Sequence, residues 1–114
     1  MNIEYLYTSE AGLQWLRKYY RKNPQLDFKK LKIAFRIAEK TLTDFPFSGE
    51  CFEEHEHVRE YPIQGSNFSL LYTIARNKIW IIDIRDSRGH RSADALAAFS
   101  RELRSRFGLD VSKK

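Results

Sequence analysis

Cysteine is nearly absent from this sequence. Cys51 stands alone among 114 residues, so no disulfide can close within the chain. That usage fits a reducing cytoplasm. The thiol has no neighbouring base in sequence and reads as inert. Long apolar runs are missing too: none approaches the ~20 residues needed to cross a bilayer. The opening Met1-Asn2-Ile3-Glu4-Tyr5 alternates where a secretory leader would place a basic region and then an apolar one. The expectation is a cytoplasmic protein with no membrane partner. Internal repeats and low-complexity tracts are also lacking, which excludes solenoids and biased tails. His55 and His57 have the spacing of two metal ligands on one strand face, but no cysteine partner or second pair accompanies them. An acidic loop is the better reading there, and no metal or other cofactor is expected.

What is present is a core and a charge. Apolar residues make up 42% of the chain and aromatic ones 14%, enough for one domain spanning 1–114 to bury its own core. The net charge is +5, which in so small a domain favours nucleic acid, the ribosome or an acidic protein as partner.

Residues 2–8 alternate as a short strand. Ser9 is placed to cap a helix, with Glu10 in its first turn. Leu13, Leu16 and Tyr20 give that helix its apolar face, and Asn23-Pro24 ends it. A second helix starts near Asp27, with Phe28, Leu31, Phe35, Ala38 and Leu42 at three- and four-residue steps. Lys29, Lys30 and Lys32 lie on its other faces and read as a solvated surface. Phe45-Pro46-Phe47-Ser48-Gly49 breaks the helix and opens a loop. A strand follows at about 58–63, and Pro62 marks it as an edge or a bulge. Strands over 68–75 and 79–84 are joined by the tight turn Arg76-Asn77-Lys78. The second of these is almost wholly apolar, as a strand covered on both faces should be. After the charged loop 85–91, Ser92 caps a last helix. Leu96, Phe99, Leu103 and Phe107 form its stripe and Gly108 its stop. The expected fold is therefore α+β: β-α-α-β-β-β-α, an antiparallel sheet packed against a helical hairpin, with a C-terminal helix.

This order resembles the RelE/ParE superfamily of toxins from bacterial type II toxin–antitoxin (plasmid stabilisation) systems. Local stretches resemble it as well: Phe45-Pro46-Phe47-Ser48-Gly49, Val58-Arg59-Glu60-Tyr61, Leu70-Leu71-Tyr72-Thr73-Ile74, and Ile79-Trp80-Ile81-Ile82-Asp83-Ile84 leading to His90-Arg91. The resemblance covers nearly the whole chain. It implies a toxin that inhibits growth until a cognate antitoxin wraps it with a C-terminal segment. The target it implies is either messenger RNA, cut in the ribosome, or DNA gyrase, poisoned without cleavage. A degenerate member that only binds nucleic acid or an antitoxin-like protein is the alternative.

Metal-independent RNA cleavage needs a base, an acid and a positive field around the phosphate. His90 is the natural acid or base. Arg59 and Arg85 are the candidates to hold the phosphate, and a loop glutamate such as Glu54 could serve as base. Arg88, Arg91, Arg76, Lys78 and Tyr19 are candidates to contact nucleic acid or another target. Trp15 also belongs with the aromatics able to stack bases, whereas Tyr20 and Trp80 read as core. One departure argues against a nuclease: Ser69 stands where many RNA-cleaving members carry an arginine. The gyrase-directed reading needs no catalytic set, only a shaped basic surface.

Overall fold

The computed structural model describes residues 1–52 and 55–103. Strand β1 (Asn2–Tyr5) leads through a 3-10 turn at Tyr7–Ser9 into α1 (Glu10–Lys22). Helix α2 (Phe28–Asp44) completes the hairpin. Then come β2 (Glu50–Cys51), β3 (Arg59–Pro62), β4 (Phe68–Ala75), β5 (Lys78–Asp86) and α3 (Ala93–Ala98), with a π-helical turn at Phe99–Leu103. The protein is α+β with a C-terminal helix, as its sequence predicts.

The sheet runs β1-β5-β4-β3-β2. Strands β2 to β5 form an antiparallel meander, and β1 joins it parallel to β5, so the sheet is mixed. The sequence expectation lacks the two-residue β2 and the parallel pairing of β1; it also runs the first strand to residue 8 and ends the last at residue 84, where the structure ends them at Tyr5 and Asp86. Pro62 is the last residue of β3, beyond the two residues that β2 pairs, where its missing N–H costs no ladder bond.

Both faces of the sheet are covered. Leu70, Tyr72, Ile79, Ile81 and Ile84 pack against Leu16, Leu31, Ala38 and Leu42 of the hairpin. Leu71 and Ile82 pack with Val58 against Ala95, Leu96 and Phe99 on the other side. This double burial explains why β5 is nearly all apolar.

Local chemistry sets the helix ends. The Asp27 carboxylate accepts from the Lys30 amide at 3.1 Å, a true N-cap. Ser9 does not cap α1. It already has helical dihedrals, and its hydroxyl donates back to the Leu6 carbonyl at 2.7 Å because the 3-10 turn precedes it. Ser92 makes no side-chain cap either: it is buried in the left-handed region, with φ 65°. The Arg76-Asn77 turn has positive φ at both residues, matching the twist of the flanking strands. Phe107 and Gly108, expected to close the last helix, lie outside the described residues. Among the described residues no helix is long and apolar enough to cross a membrane.

Candidate functional site

The site is built around an irregularity in β5. Leu71 stands opposite Asp83 but Tyr72 stands opposite Ile81, so β5 carries one extra residue, a bulge at Ile82-Asp83. Pairing with β1 ends at Ile81. Beyond it the strand edge is taken up by the chain entering α1: the Leu6 amide donates to the Ile81 carbonyl and the Thr8 hydroxyl to the Ile82 carbonyl. Asp83 is fully buried at this point. One of its oxygens accepts from the Ile84 amide at 2.8 Å, and the other lies 2.6 Å from His90 Nε2. Burial pushes the Asp83 carboxyl above its usual range, against the opposing pull of His90, Ser92 and the Ile84 amide. The enclosed Ser92 hydroxyl lies beside that carboxyl without a fully formed hydrogen bond.

A carboxyl held above its ordinary value near 3.8 favours the folded state in its neutral form. That contribution is complete below the ordinary value and is lost as pH rises through the raised one. Asp83→Asn keeps an acceptor for Ile84 and removes the ionisation. The variant is therefore expected to gain stability relative to the parent chain as pH rises from acid to neutral. Urea midpoints across that range check it; parallel curves would overturn it.

The loop after β5 is tied down on both sides. Buried Asp86 donates its amide to the His90 carbonyl at 2.6 Å and accepts the Gly89 amide at 3.2 Å. Its carboxylate takes the Arg88 amide at 3.0 Å and Trp15 Nε1 at 2.9 Å. The exposed Arg88 guanidinium lies over the Tyr19 ring, 5.1 Å from its centroid, and donates to the Tyr19 hydroxyl. Tyr19 itself is half-buried, edge-on to Phe68. Arg91 is exposed. His90, Arg88 and Tyr19 are thus held by one loop and the helix beside it.

The structure does not bring Arg59 and Arg85 together. Arg59 stands opposite Tyr72, Glu60 opposite Leu71, and Arg85 opposite Ser69. Cross-strand partners share a face and neighbours along a strand alternate. Arg59 therefore lies on the face of Tyr72, and Arg85 on the face of Leu71. Each is also engaged. Arg59 donates to the Gly49 carbonyl at 2.7 Å and lies over Phe47, supporting a loop whose Gly49 amide and Pro46 carbonyl both bond the Tyr72 hydroxyl. Arg85 pairs with Glu60 at 3.0 Å and lies over Phe52. Arg76 and Lys78 are at the opposite end of β5, roughly 25 Å of strand away at ~3.3 Å per residue. There Lys78 pairs with Glu4 at 2.8 Å and lies over Trp80. Glu54 lies outside the described residues. Among the described residues no group of three or more His, Cys, Asp or Glu could hold a metal.

A second feature rests on how the charge is distributed along the chain. Residues 10–44 hold nine Lys or Arg and four Asp or Glu, and the rest of the chain holds eleven of each. The entire excess charge is on the helical hairpin. Two adjoining depressions lie in the crease between α1 and α2. One of about 260 Å³ is floored by Leu13, Leu16, Leu31 and Phe35, and one of about 360 Å³ lies beside Tyr20 and Arg21. They share Arg17 and Phe28. Lys32 and Arg36 complete a basic rim, while Glu39 in the same crease is engaged by the Tyr5 hydroxyl at 2.5 Å.

No protein-family model matches the chain, and no curated protein is significantly similar to it.

Proposed function

We propose that this chain is the toxin of a RelE/ParE-like type II toxin–antitoxin pair, neutralised by an acidic, amphipathic antitoxin segment lying in the crease between α1 and α2. The observation that carries this reading is the crease itself: an apolar floor with Arg17, Arg21, Lys32 and Arg36 at its edge, on the element that holds all the excess charge. An amphipathic segment buries its apolar stripe in such a groove and offers carboxylates to the rim. The resemblance in sequence order supports the same reading.

For the toxic act, binding to a large target such as gyrase has better support than RNA cleavage. A cleaving site needs its cations converging on one phosphate. Arg59 and Arg85 lie on opposite faces, and both are already satisfied by protein groups. One observation favours the ribonuclease reading: His90 is oriented by a buried carboxylate partner, the arrangement that a histidine base uses.

Induced expression alone is expected to arrest growth, and co-expression of the adjacent small gene to restore it. Primer extension should find messages intact, and His90→Ala should still arrest growth. Codon-positioned cuts that vanish in His90→Ala would establish the ribonuclease reading instead. Unimpaired growth with clear protein production would leave the degenerate member that poisons nothing.

A further inference from the structure

Helix α1 presents two working faces. Leu13, Leu16, Arg17, Tyr20 and Arg21 look into the crease with α2. On the other side of the helix, Trp15, Lys18, Tyr19, Lys22 and Asn23 line a separate slot of about 220 Å³ beside the loop after β5. We propose that this slot binds one nucleotide unit, base plus phosphate, of a single-stranded nucleic acid.

Its two aromatic side chains are fixed before any ligand arrives. Trp15 is anchored through its indole N–H to buried Asp86. Gly89 lies so close to the indole that a Cβ there would come within 2.3 Å of it. Tyr19 has the Arg88 guanidinium over its ring and packs T-shaped with Phe68 and Tyr20, at 5.7 and 5.8 Å between centroids. Rings with no freedom left to lose make efficient stacking surfaces.

The charges are placed for a phosphate. Lys18 and Lys22 are one helical turn apart, their Cβ atoms about 6 Å from each other. Both are exposed at the mouth of the slot, with Arg88 over its Tyr19 wall. The Asn23 amide donates to the Tyr19 carbonyl at 2.8 Å and closes the end.

Size and shape choose the ligand class. The volume is below the ~300 Å³ at which drug-sized pockets begin, which suits one planar base. A duplex has no free base face to offer, whereas an unpaired base does. Arg59 and Arg85, the phosphate candidates of the sequence, are spent elsewhere. This slot has charge that is not: among the described residues, Lys18 and Lys22 make no ion pair.

The inference does not depend on the chain being a toxin, and its test is separate. Purified full-length chain is titrated into fluorescein-labelled oligouridylate or oligothymidylate of about twelve nucleotides and read by anisotropy. Binding is expected to weaken with salt. Tyr19→Ala should lower affinity about tenfold, and Tyr19→Phe should stay within about threefold, because stacking and not the hydroxyl carries the contact. Lys18→Glu with Lys22→Glu, both exposed, should lower affinity at least about tenfold with the circular dichroism spectrum unchanged. Competition by a free nucleoside monophosphate would identify the free nucleotide as occupant; its failure to compete would identify the strand. An abasic strand or a duplex binding as tightly as the base-carrying strand would overturn the proposal. So would a folded lysine double variant with unchanged affinity. Loss of growth arrest with strand binding intact would remove the toxin reading and leave the slot standing.

Discussion

Gly12→Ala is expected to destabilise this protein by about 3–5 kcal/mol, enough to unfold much of a small domain at 37 °C. Helix propensity argues the other way. Gly12 is in α1, where alanine should gain roughly 1 kcal/mol. The neighbouring strand decides the sign. A Cβ on Gly12 would lie 2.1 Å from Asp83 Oδ1, 2.4 Å from the Ile84 carbonyl oxygen and 2.8 Å from the Ile84 nitrogen. The carboxylate can turn only by giving up Ile84 or His90, and the backbone atoms cannot turn at all. Relief requires α1 to move away from β5, which opens the core at Leu16 and drags Trp15 from Asp86. Gly65→Ala is the control. Gly65 has φ +76° and nothing within 4 Å of a Cβ, so only backbone strain of about 1 kcal/mol is at stake. Urea denaturation of the two variants compares them directly. A Gly12→Ala chain as stable as the parent would mean that α1 does not approach the β5 bulge this closely.

The same bulge marks where the sequence stops being legible. The α2 stripe, its start near Asp27, the Asn23-Pro24 break and the apolar β5 follow from spacing and local chemistry, and the structure has them all. Periodicity within a strand says which residues share a face. It does not say how one strand's parity relates to the next, because that depends on register. Arg59 and Arg85 both read as basic residues near an apolar-Tyr meander, and only the pairing of β3 with β4 puts them on opposite faces. The extra residue at Ile82-Asp83 is hidden for the same reason, since Ile81-Ile82-Asp83-Ile84 alternates no differently with or without a bulge. His90 was legible as a candidate. Its partner Asp83 was not: a lone aspartate in an apolar strand announces strain or a partner without naming it. The crease and the slot were half-legible. Three- and four-residue steps along α1 separate Leu13, Leu16, Arg17 and Tyr20 from Trp15, Lys18, Tyr19 and Lys22 on a helical wheel. What covers each face follows only from where α2 and the loop after β5 lie.

That division of α1 gives the other large expected effect. Arg17→Glu combined with Arg36→Glu should abolish rescue by the antitoxin while leaving toxicity intact. Both side chains are exposed, so the fold should lose no more than about 0.5 kcal/mol at either position. Both line the crease, Arg17 on α1 facing Arg36 on α2. An acidic segment lying over Leu13, Leu31 and Phe35 would then meet two carboxylates in place of two guanidiniums. Losing the attraction and adding repulsion is worth at least about 3 kcal/mol, over a hundredfold in affinity. Growth on co-expression of the adjacent gene checks it. The double variant should arrest growth even with its partner present, and the parent chain should not. Reversal of Lys18 and Lys22 is the matched comparison: the same charge change on the same helical hairpin, but on the α1 face that looks away from the crease. If both reversals abolish rescue equally, the partner senses only net charge and the crease is not its seat. If only the crease pair does, the apolar floor and its rim act together, which a purely electrostatic attraction to a basic hairpin cannot produce.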